Sequence, residues 1–326
     1  MIGAGAWGTA LANVLAENGH ATVIWAYEAD VADAINGGHE NLRFLPKIRL
    51  SPDLRATPDQ EMAVTSAELI LFATPSHVLR DVTASMRASA APGATLVVAT
   101  KGIERDRLAL MTDVVAQELP GRAVVALSGP SFAAEVAACQ PTAIVAASTN
   151  AEAAAYAQKA LSSPSFRVYT HDDVIGVELG GALKNVMALA TGISDGLNLG
   201  YNARAALITR GLAEIMRLGV KLGARPATFA GLAGVGDLVL TCTGALSRNR
   251  TVGLEIGRGA SLGEVLASRE TVAEGVTTAE SAKELSERED IEMPIVDAVH
   301  RVLFERQPAR WALVELMRRG LRGEQD

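Results

Sequence analysis

The sequence predicts an α/β domain built on a mainly parallel sheet, followed by an all-α domain. Up to about residue 170, short apolar runs rich in β-branched residues alternate with helix-like segments, as in βαβ units. Beyond that point the alternation stops and only helix-like segments follow. Because Asp172 or Asp173 can cap a new helix there, we predict two domains, at 1–171 and 172–326.

Each domain is predicted from its own pattern of apolar residues. Buried strands are predicted at 21–25, 68–73, 94–100, 122–127, 143–147 and 165–169. Helices of the second domain are predicted at 172–193, 203–223, 263–269, 278–288, 294–306 and 309–320. The segment 36–58 is rich in Gly, Pro and Asn, and is predicted as an extended connection in the first domain.

Composition excludes several classes of function. The chain has 326 residues, 49% of them hydrophobic, with 30 basic against 37 acidic side chains, which fits a soluble globular protein and argues against a nucleic-acid partner. No run reaches the ~18 consecutive apolar residues that span a bilayer. We therefore expect a cytoplasmic protein without membrane insertion. The two cysteines and five histidines show no metal-ligand spacing, so no metal site is predicted.

Gly3, Gly5 and Gly8 match the pattern G-x-G-x-x-G at the start of a helix-like run. The first glycine permits a tight turn, the second lets a pyrophosphate approach, and the third allows close helix packing, while the helix N-terminus attracts phosphate. The pattern therefore predicts a Rossmann-like dinucleotide site for NADPH or NADH. At the end of the next strand, an acidic residue would favour NAD and a basic residue NADP. Tyr27 carries no charge there, and Glu28 lies two or three residues beyond the position that contacts the ribose, so the cofactor preference stays open.

Only Met1 and Ile2 precede this glycine turn, although a strand normally leads into it. The first strand is central in such a sheet, so losing its pairing should cost several kcal/mol of a typical ~5–15 kcal/mol stability. We therefore expect a misplaced start codon or a trimmed sequence, with the native chain starting upstream of Met1.

Polar residues follow three of the predicted strands, at 74–76, 100–102 and 128–131, where the strand ends of an open parallel sheet face a ligand. Lys101 directly follows its strand, and Gly102 leaves room for a ligand; the alternative is a lysine that extends from the sheet edge into solvent. The segment 128–131 can present N–H groups to a ligand, but on its own it is better explained as a helix cap.

Lys184 lies on a predicted helix face cleared by Gly180 and Gly181, four and three residues before it. Each glycine costs ~1 kcal/mol relative to alanine in a helix, a cost that close approach by another backbone or a ligand explains. A sheltered lysine can have a lowered pKa and exchange a proton with a hydroxyl or carbonyl oxygen. The alternative is an ion-paired lysine in a packing face, with Glu178 or Asp172 as its partner.

A glycine-rich loop at 231–236 leads through Asp237 to Ser247, Arg248 and Asn249, which open a candidate helix. A hydroxyl, a guanidinium and an amide at a helix N-terminus can hold a phosphate. A serine cap with surface arginines explains the same residues equally well.

Six motifs together resemble the bacterial-type NAD(P)-dependent glycerol-3-phosphate dehydrogenases. They lie in family order at 3–12, 99–102, 128–133, 180–185, 236–242 and 247–250, and the resemblance runs essentially from end to end. It implies hydride transfer at C2 that interconverts dihydroxyacetone phosphate and sn-glycerol 3-phosphate and supplies the phospholipid backbone. By motif position, Lys184 is the proton donor and acceptor.

The resemblance also implies two sets of binding residues. The substrate contacts it implies are Lys101, Gly129, Ser131, Asp237, Ser247, Arg248 and Asn249. The cofactor contacts it implies, beside the three glycines, are Ala6, Trp7, Tyr27, Lys101, Ala133, Arg248, Val272 and Glu274. The one partner implied is a small phosphate ester; the oligomeric state stays open, with a homodimer as a candidate.

Two other functions remain open at this point. One is a related two-domain dehydrogenase of 3-hydroxyacids or of the 6-phosphogluconate type. The candidate phosphate-binding motif at 247–250, together with Asp237, argues against it and favours a small phosphate ester as substrate. The other is a dinucleotide-sensing module, which has no need of a lysine on a cleared helix face.

Overall fold

The computed structural model describes residues 1–269, 273–320 and 323, and its N-terminal half is an α/β layer structure. The strands are β1 (Val23–Trp25), β2 (Arg55–Thr57), β3 (Leu69–Phe72), β4 (Thr95–Val98), β5 (Val124–Ser128), β6 (Thr142–Ala147) and β7 (Phe166–His171). The helices of this half are α1 (Ala6–Glu17), α2 (Ala29–Gly38), α3 (Gln60–Val64), α4 (Leu79–Ser85), α5 (Met111–Glu118), α6 (Ala133–Ala137) and α7 (Ala151–Leu161).

The sheet is mostly parallel, as the alternation of apolar runs predicts. Strands β3 to β7 lie side by side in sequence order, and β1 pairs with β2. Only the β5–β6 pair is antiparallel among the described strands. All six predicted strands are present; β2, which was not predicted, lies in the segment expected to be an extended connection, because three residues with an exposed Arg55 give no apolar run.

The two parts of the sheet are joined by the first residues of the chain. Ile2 is fully buried and forms bridges to Trp25 and to Phe72. Its N–H donates to the carbonyl of Leu71 at 2.7 Å, and its carbonyl accepts from Ala73 at 2.9 Å. The short segment before the glycine turn therefore lies between β1 and β3.

The second half is helical, as predicted. Its helices are α8 (Val174–Gly196), α9 (Gly200–Lys221), α10 (Pro226–Phe229), α11 (Asp237–Thr243), α12 (Arg248–Gly257), α13 (Leu262–Ala267), α14 (Glu274–Arg288), α15 (Pro294–Phe304) and α16 (Ala309–Arg318). Helix α11 was not predicted, because its seven residues are too few to show a helical period. The division at 171/172 into two separate domains stays a prediction.

Helix α8 is the central element of this half. It is long and apolar enough to cross a membrane, but 83% of its most apolar window is buried inside the protein, as in the core helix of a soluble protein. Helix α12 crosses it in direct backbone contact, because a β-carbon at Gly192 would overlap the carbonyl of Arg250 and one at Gly253 would overlap that of Leu189. This close crossing places the start of α12 beside the middle of α8.

Candidate active site

Two lysines from different parts of the chain share one buried carboxylate. Lys184, in the middle of α8, donates to Oδ1 of Asp237, the first residue of α11. Lys101, just after β4, donates to Oδ2 of the same residue at 2.9 Å. Asp237 is fully buried and Lys184 is 7% exposed. The strand-end lysine and the helix lysine, singled out separately in the sequence, thus belong to one cluster.

The glycines before Lys184 make room for the elements that carry its neighbours. A β-carbon at Gly180 would overlap the carbonyl oxygen of Ala233, in the π-helical turn Leu232–Gly236 that leads into Asp237. A β-carbon at Gly181 would overlap the hydroxyl of Ser128 at the end of β5. Close approach by another backbone, one of the two predicted reasons, is therefore confirmed at Gly180; at Gly181 the close neighbour is a side chain, which neither predicted reason named.

The cluster has unusual acid–base properties. Burial lowers the pKa of Lys184 to about 7, with Asp237 opposing that shift and Lys101 adding to it. Burial alone would raise the pKa of Asp237, but the two ammonium groups outweigh it and hold that pKa below its ordinary value. At neutral pH Lys184 can therefore carry or release a proton while Asp237 stays ionised.

The partners suggested for Lys184 by local sequence were wrong. Glu178 instead accepts hydrogen bonds from Thr112, at the start of α5. Asp172 pairs with Arg225. Asp237 lies 53 residues from Lys184 along the chain, which is why helix periodicity could not identify it as the partner.

The start of α12 lies next to this cluster. Asn249 donates to Oδ1 of Asn185 at 3.0 Å and accepts from the N–H of Gly275 at 2.9 Å. Ser247 caps the helix by accepting from the N–H of Arg250, so the capping explanation holds for its hydroxyl. Arg248 is exposed and makes no hydrogen bond or ion pair with residues that the structure describes.

The glycine turn fits a dinucleotide phosphate. Gly3 has φ +104°, and a β-carbon at Gly8 would overlap its carbonyl oxygen, so the turn requires glycine at both positions. Open space surrounds Gly5, and no side chain caps α1. Nearby, Nε1 of Trp7 and Oγ1 of Thr74 are buried without a partner in the described chain. Free N–H groups and unpartnered donors are what an anionic cofactor needs.

Other predicted cofactor residues lie around the same sheet edge. Tyr27 follows β1 and is 81% exposed, and Ala133 begins α6. Glu274 begins α14 and accepts from the N–H and the hydroxyl of Ser76, at 3.1 and 2.6 Å. Val272 lies outside the described residues.

Two loop residues that were predicted to face a ligand make contacts within the protein. Ser131 donates to the carbonyl of Gly129 at 2.9 Å, so its hydroxyl also stabilises its own turn. A β-carbon at Gly102 would lie 2.8 Å from Cβ of Ser76, so the space predicted for a ligand holds Ser76 instead. In the described ranges no group of three or more His, Cys, Asp or Glu is placed to hold a metal.

Sequence reasoning missed two residues of the cluster. Asn185 follows Lys184 directly and bonds Asn249. Thr241 lies one helical turn after Asp237 and donates to its carbonyl at 2.6 Å. An i, i+4 pairing would have revealed Thr241 only if residues 237–243 had been recognised as a helix.

Known proteins resemble the chain along its whole length. Residues 1–154 match the family described as NAD-dependent glycerol-3-phosphate dehydrogenase N-terminus, and 173–314 match its C-terminus. The glycerol-3-phosphate dehydrogenase [NAD(P)+] of Geobacter sulfurreducens is 54% identical over 99% of this chain and 98% of its own length. The glycerol-3-phosphate dehydrogenase [NAD(P)+] of Myxococcus xanthus is 49% identical over 99% of this chain and 98% of its own length.

Solved structures show the same likeness. The glycerol-3-phosphate dehydrogenase from Coxiella burnetii superposes with a TM-score of 0.94 at 42% identity, covering 98% of both chains. A D-mandelate dehydrogenase in complex with NADH superposes at 0.60 with 13% identity over 97% and 98% of the chains, which reflects a shared fold alone.

Proposed function

The chain belongs to the NAD-dependent glycerol-3-phosphate dehydrogenase family and interconverts dihydroxyacetone phosphate and glycerol 3-phosphate with NAD(H) or NADP(H), and we propose that Lys184 is its acid–base residue. The observation that carries this proposal is one buried carboxylate, Asp237, shared by Lys184 and Lys101. A lysine whose pKa lies near 7 can give up and regain a proton within each turnover.

In this mechanism the protein stabilises charge at the C2 oxygen of the substrate. When bound, the nicotinamide cofactor supplies or accepts the hydride at C2. Negative charge develops on the oxygen as the ketone becomes an alcohol, and the Lys184 ammonium stabilises that charge and then donates its proton. Asp237 holds the amine in place, and Lys101 adds a second positive charge. In the oxidation direction neutral Lys184 accepts the proton.

The start of α12 binds the substrate phosphate in this proposal. Arg248 supplies a guanidinium that can fork onto two phosphate oxygens, with Asn249 and the helix N–H groups beside it. Ser247 keeps the helix start in position through its cap. Because Asn249 contacts Asn185, next to Lys184, binding of the phosphate would orient C2 toward the amine. Gly129 and Ser131 complete the proposed substrate contacts.

The glycine turn and its neighbours bind the cofactor in this proposal. The residues are Gly3, Gly5, Ala6, Trp7, Gly8, Tyr27, Lys101, Ala133, Arg248 and Glu274. Their fit rests on the required glycines, the uncapped start of α1 and the unpartnered donors of Trp7 and Thr74. We further propose that the enzyme is cytoplasmic, supplies the glycerol backbone of phospholipids, and works as two domains divided near residue 171.

A spectrophotometric assay tests the proposed phosphate site. Wild type is assayed with dihydroxyacetone phosphate and with dihydroxyacetone, each with NADPH and with NADH, alongside Arg248→Ala. We expect the variant to raise KM for the phosphate ester by about 100-fold, since a charged hydrogen-bond pair contributes ~1.5–3 kcal/mol. With each cofactor at saturation, so that any loss of cofactor affinity does not enter, activity with dihydroxyacetone should be unchanged. An equal loss with both substrates would contradict the assignment of Arg248 to the phosphate. The two cofactors compared in wild type decide the NAD or NADP preference.

A further inference from the structure

A small cavity lies beside Lys101, at the ends of β4 and β5. It has a volume of about 10 Å³, and Thr100, Lys101, Ser128 and Glu178 are among the residues around it. This volume is close to the least that can hold one water molecule. These four polar residues offer the hydrogen-bonding groups that a buried water needs, and the rest of the lining is apolar or glycine: Val98, Gly102, Ala126 and Leu127.

Ser128 supplies an independent sign that something binds there. Its residue is 6% exposed, and its hydroxyl is buried without a hydrogen-bond partner in the described part of the chain. An unsatisfied buried hydroxyl costs ~1–3 kcal/mol, a cost that a water in the cavity would remove. The hydroxyl also faces Gly181, one turn from Lys184 on the same helix.

Glu178 is the acidic residue in the lining of the cavity. Its Oε1 accepts from the N–H of Thr112 at 2.9 Å, and its Oε2 accepts from the Thr112 hydroxyl at 2.5 Å. Each carboxyl oxygen can accept a second hydrogen bond, so Glu178 retains capacity toward the cavity. Burial raises the pKa of Glu178 to about 7; the bonds from Thr112 oppose this, and the charge of Asp113 adds to it.

Two charged residues from neighbouring elements lie near Glu178 or its cavity. Asp113, on α5, acts on the Glu178 carboxyl through its charge, and Lys101, after β4, lines the same cavity as Glu178. Lys101 in turn bonds the carboxylate that holds Lys184. A water in the cavity would therefore complete a line of hydrogen-bonding groups from Glu178 to Lys184.

We propose that Glu178, through one water held by Ser128, returns to the lysine cluster the proton that Lys184 gives to the substrate. This inference rests on the proposed acid–base role of Lys184. In reduction the Lys184 N–H bond breaks as the O–H bond of the product forms. The neutral Lys184 amine takes a proton directly from the neighbouring Lys101 ammonium, a hydrogen-bonding neighbour that also lowers the pKa of Lys184. Lys101 then takes a proton from the water, and the water takes the carboxyl proton of Glu178, while Asp237 stays ionised and holds both lysines. Glu178 regains its proton from solvent, and oxidation reverses each transfer.

Glu178→Gln is the decisive variant, because it stays bonded to Thr112 but cannot carry the proton. Its amide oxygen can still accept from the Thr112 N–H, and its NH2 group can donate to the Thr112 hydroxyl. We expect kcat for reduction at pH 7 to fall about tenfold, KM for both substrates to stay within twofold, and the solvent deuterium isotope effect on kcat to rise. The thermal midpoint should be unchanged. Ser128→Ala should lower kcat less, and the double variant should be no worse than Glu178→Gln alone, since both changes break one path.

Asp113→Asn is the matched control. It removes a negative charge from the start of α5, next to Thr112, which bonds Glu178. The Asp113 side chain is exposed and is not among the residues around the cavity. Its kcat and isotope effect should stay within twofold of wild type. Infrared difference spectra of the enzyme without substrate give a readout that does not depend on activity. Burial raises the pKa of Glu214 to about 7 as well, so two protonated-carboxyl signals should titrate near pH 7 in wild type. Glu178→Gln should lose one of them, and Asp113→Asn should keep both, with that of Glu178 titrating at a lower pH because the charge of Asp113 is gone.

Several outcomes would overturn the relay. One is a Glu178→Gln enzyme with the kcat and isotope effect of wild type. Another is a loss of kcat with a raised KM, a lowered thermal midpoint and an unchanged isotope effect, which would show a structural role. If Lys184→Ala is inactive while Glu178→Gln is normal, the relay alone fails; if Lys184→Ala turns over normally, the proposed function itself fails.

Discussion

Two carboxylates in the helical half each pair with two basic side chains, but the two clusters differ in the chemistry they can perform. Asp237 joins Lys184 and Lys101. Asp195, near the end of the same helix α8 that carries Lys184, accepts from Arg204 of α9 at 2.6 Å and from Arg250 of α12 at 2.7 Å. Both clusters place one negative charge between two positive ones.

The identity of the cation separates their roles. A guanidinium stays protonated at any accessible pH and binds a carboxylate through a rigid fork, so the Asp195 cluster can only hold α8, α9 and α12 together. An ammonium is a single point charge whose pKa falls readily on burial, so the Asp237 cluster can also exchange a proton. The motif at 247–250 contains two arginines. Arg250 pairs with Asp195 and so holds helices together, which leaves Arg248 to bind the ligand.

The largest expected difference between the clusters is in catalysis. Lys184→Ala should lower kcat by about 10³-fold or more, since a positioned acid–base group contributes ~10²–10⁴ and here also stabilises the oxyanion. Binding of NADPH, measured by fluorescence titration, should be nearly intact. An unchanged kcat would contradict the role assigned to Lys184.

The second expected effect combines activity with stability. Asp237→Asn leaves two lysines near each other without their counter-ion, so kcat should fall about 10²-fold and the free energy of unfolding in urea by ~3–5 kcal/mol, as when one partner of a buried pair is removed. If the free energy of unfolding of Asp237→Asn equals that of wild type, the prediction fails: the two lysines then pair with other groups, or lose their protons, without destabilising the fold.

Disrupting the arginine cluster should affect stability alone. Asp195→Asn removes the charge between two arginines that are about one-fifth exposed, so the expected loss is ~1–3 kcal/mol after allowance for solvent screening. Activity measured below the unfolding temperature should stay within threefold of wild type. A 100-fold loss of kcat would mean that this cluster also positions the start of α12 for the reaction.

The smallest expected effect is in pH dependence, and it should belong to the lysine cluster alone. Reduction needs protonated Lys184, so its kcat should fall up to tenfold per unit as pH rises above about 7, and oxidation should fall as pH drops below about 7. Because the folded pKa is depressed from 10.5 to about 7, unfolded chains bind more protons between these values. The free energy of unfolding should therefore rise with pH in this window, and Lys184→Met should remove that slope.

The sequence predicted the fold class and the separate parts of the site for physical reasons that act locally. Alternating apolar runs identified six strands, because buried parallel strands must be apolar on both faces. The glycine turn was evident because few residues fit its backbone, and Lys184 was evident because two glycines inside a helix need an explanation. The helix α11 and the strand β2 escaped prediction because their runs are short and lack a clear period.

By itself, then, the sequence determined the order of the longer strands and helices, the glycine turn and the presence of a sheltered lysine, since each depends on residues within a few positions of one another. Tertiary structure alone decided that the partner of Lys184 is Asp237 and not Glu178, that Gly102 makes room for Ser76, and that Arg250 binds Asp195. These pairings depend on how helices cross and where strands end, and residues 53 apart in the chain meet only after the backbone of α8 has packed against its neighbours.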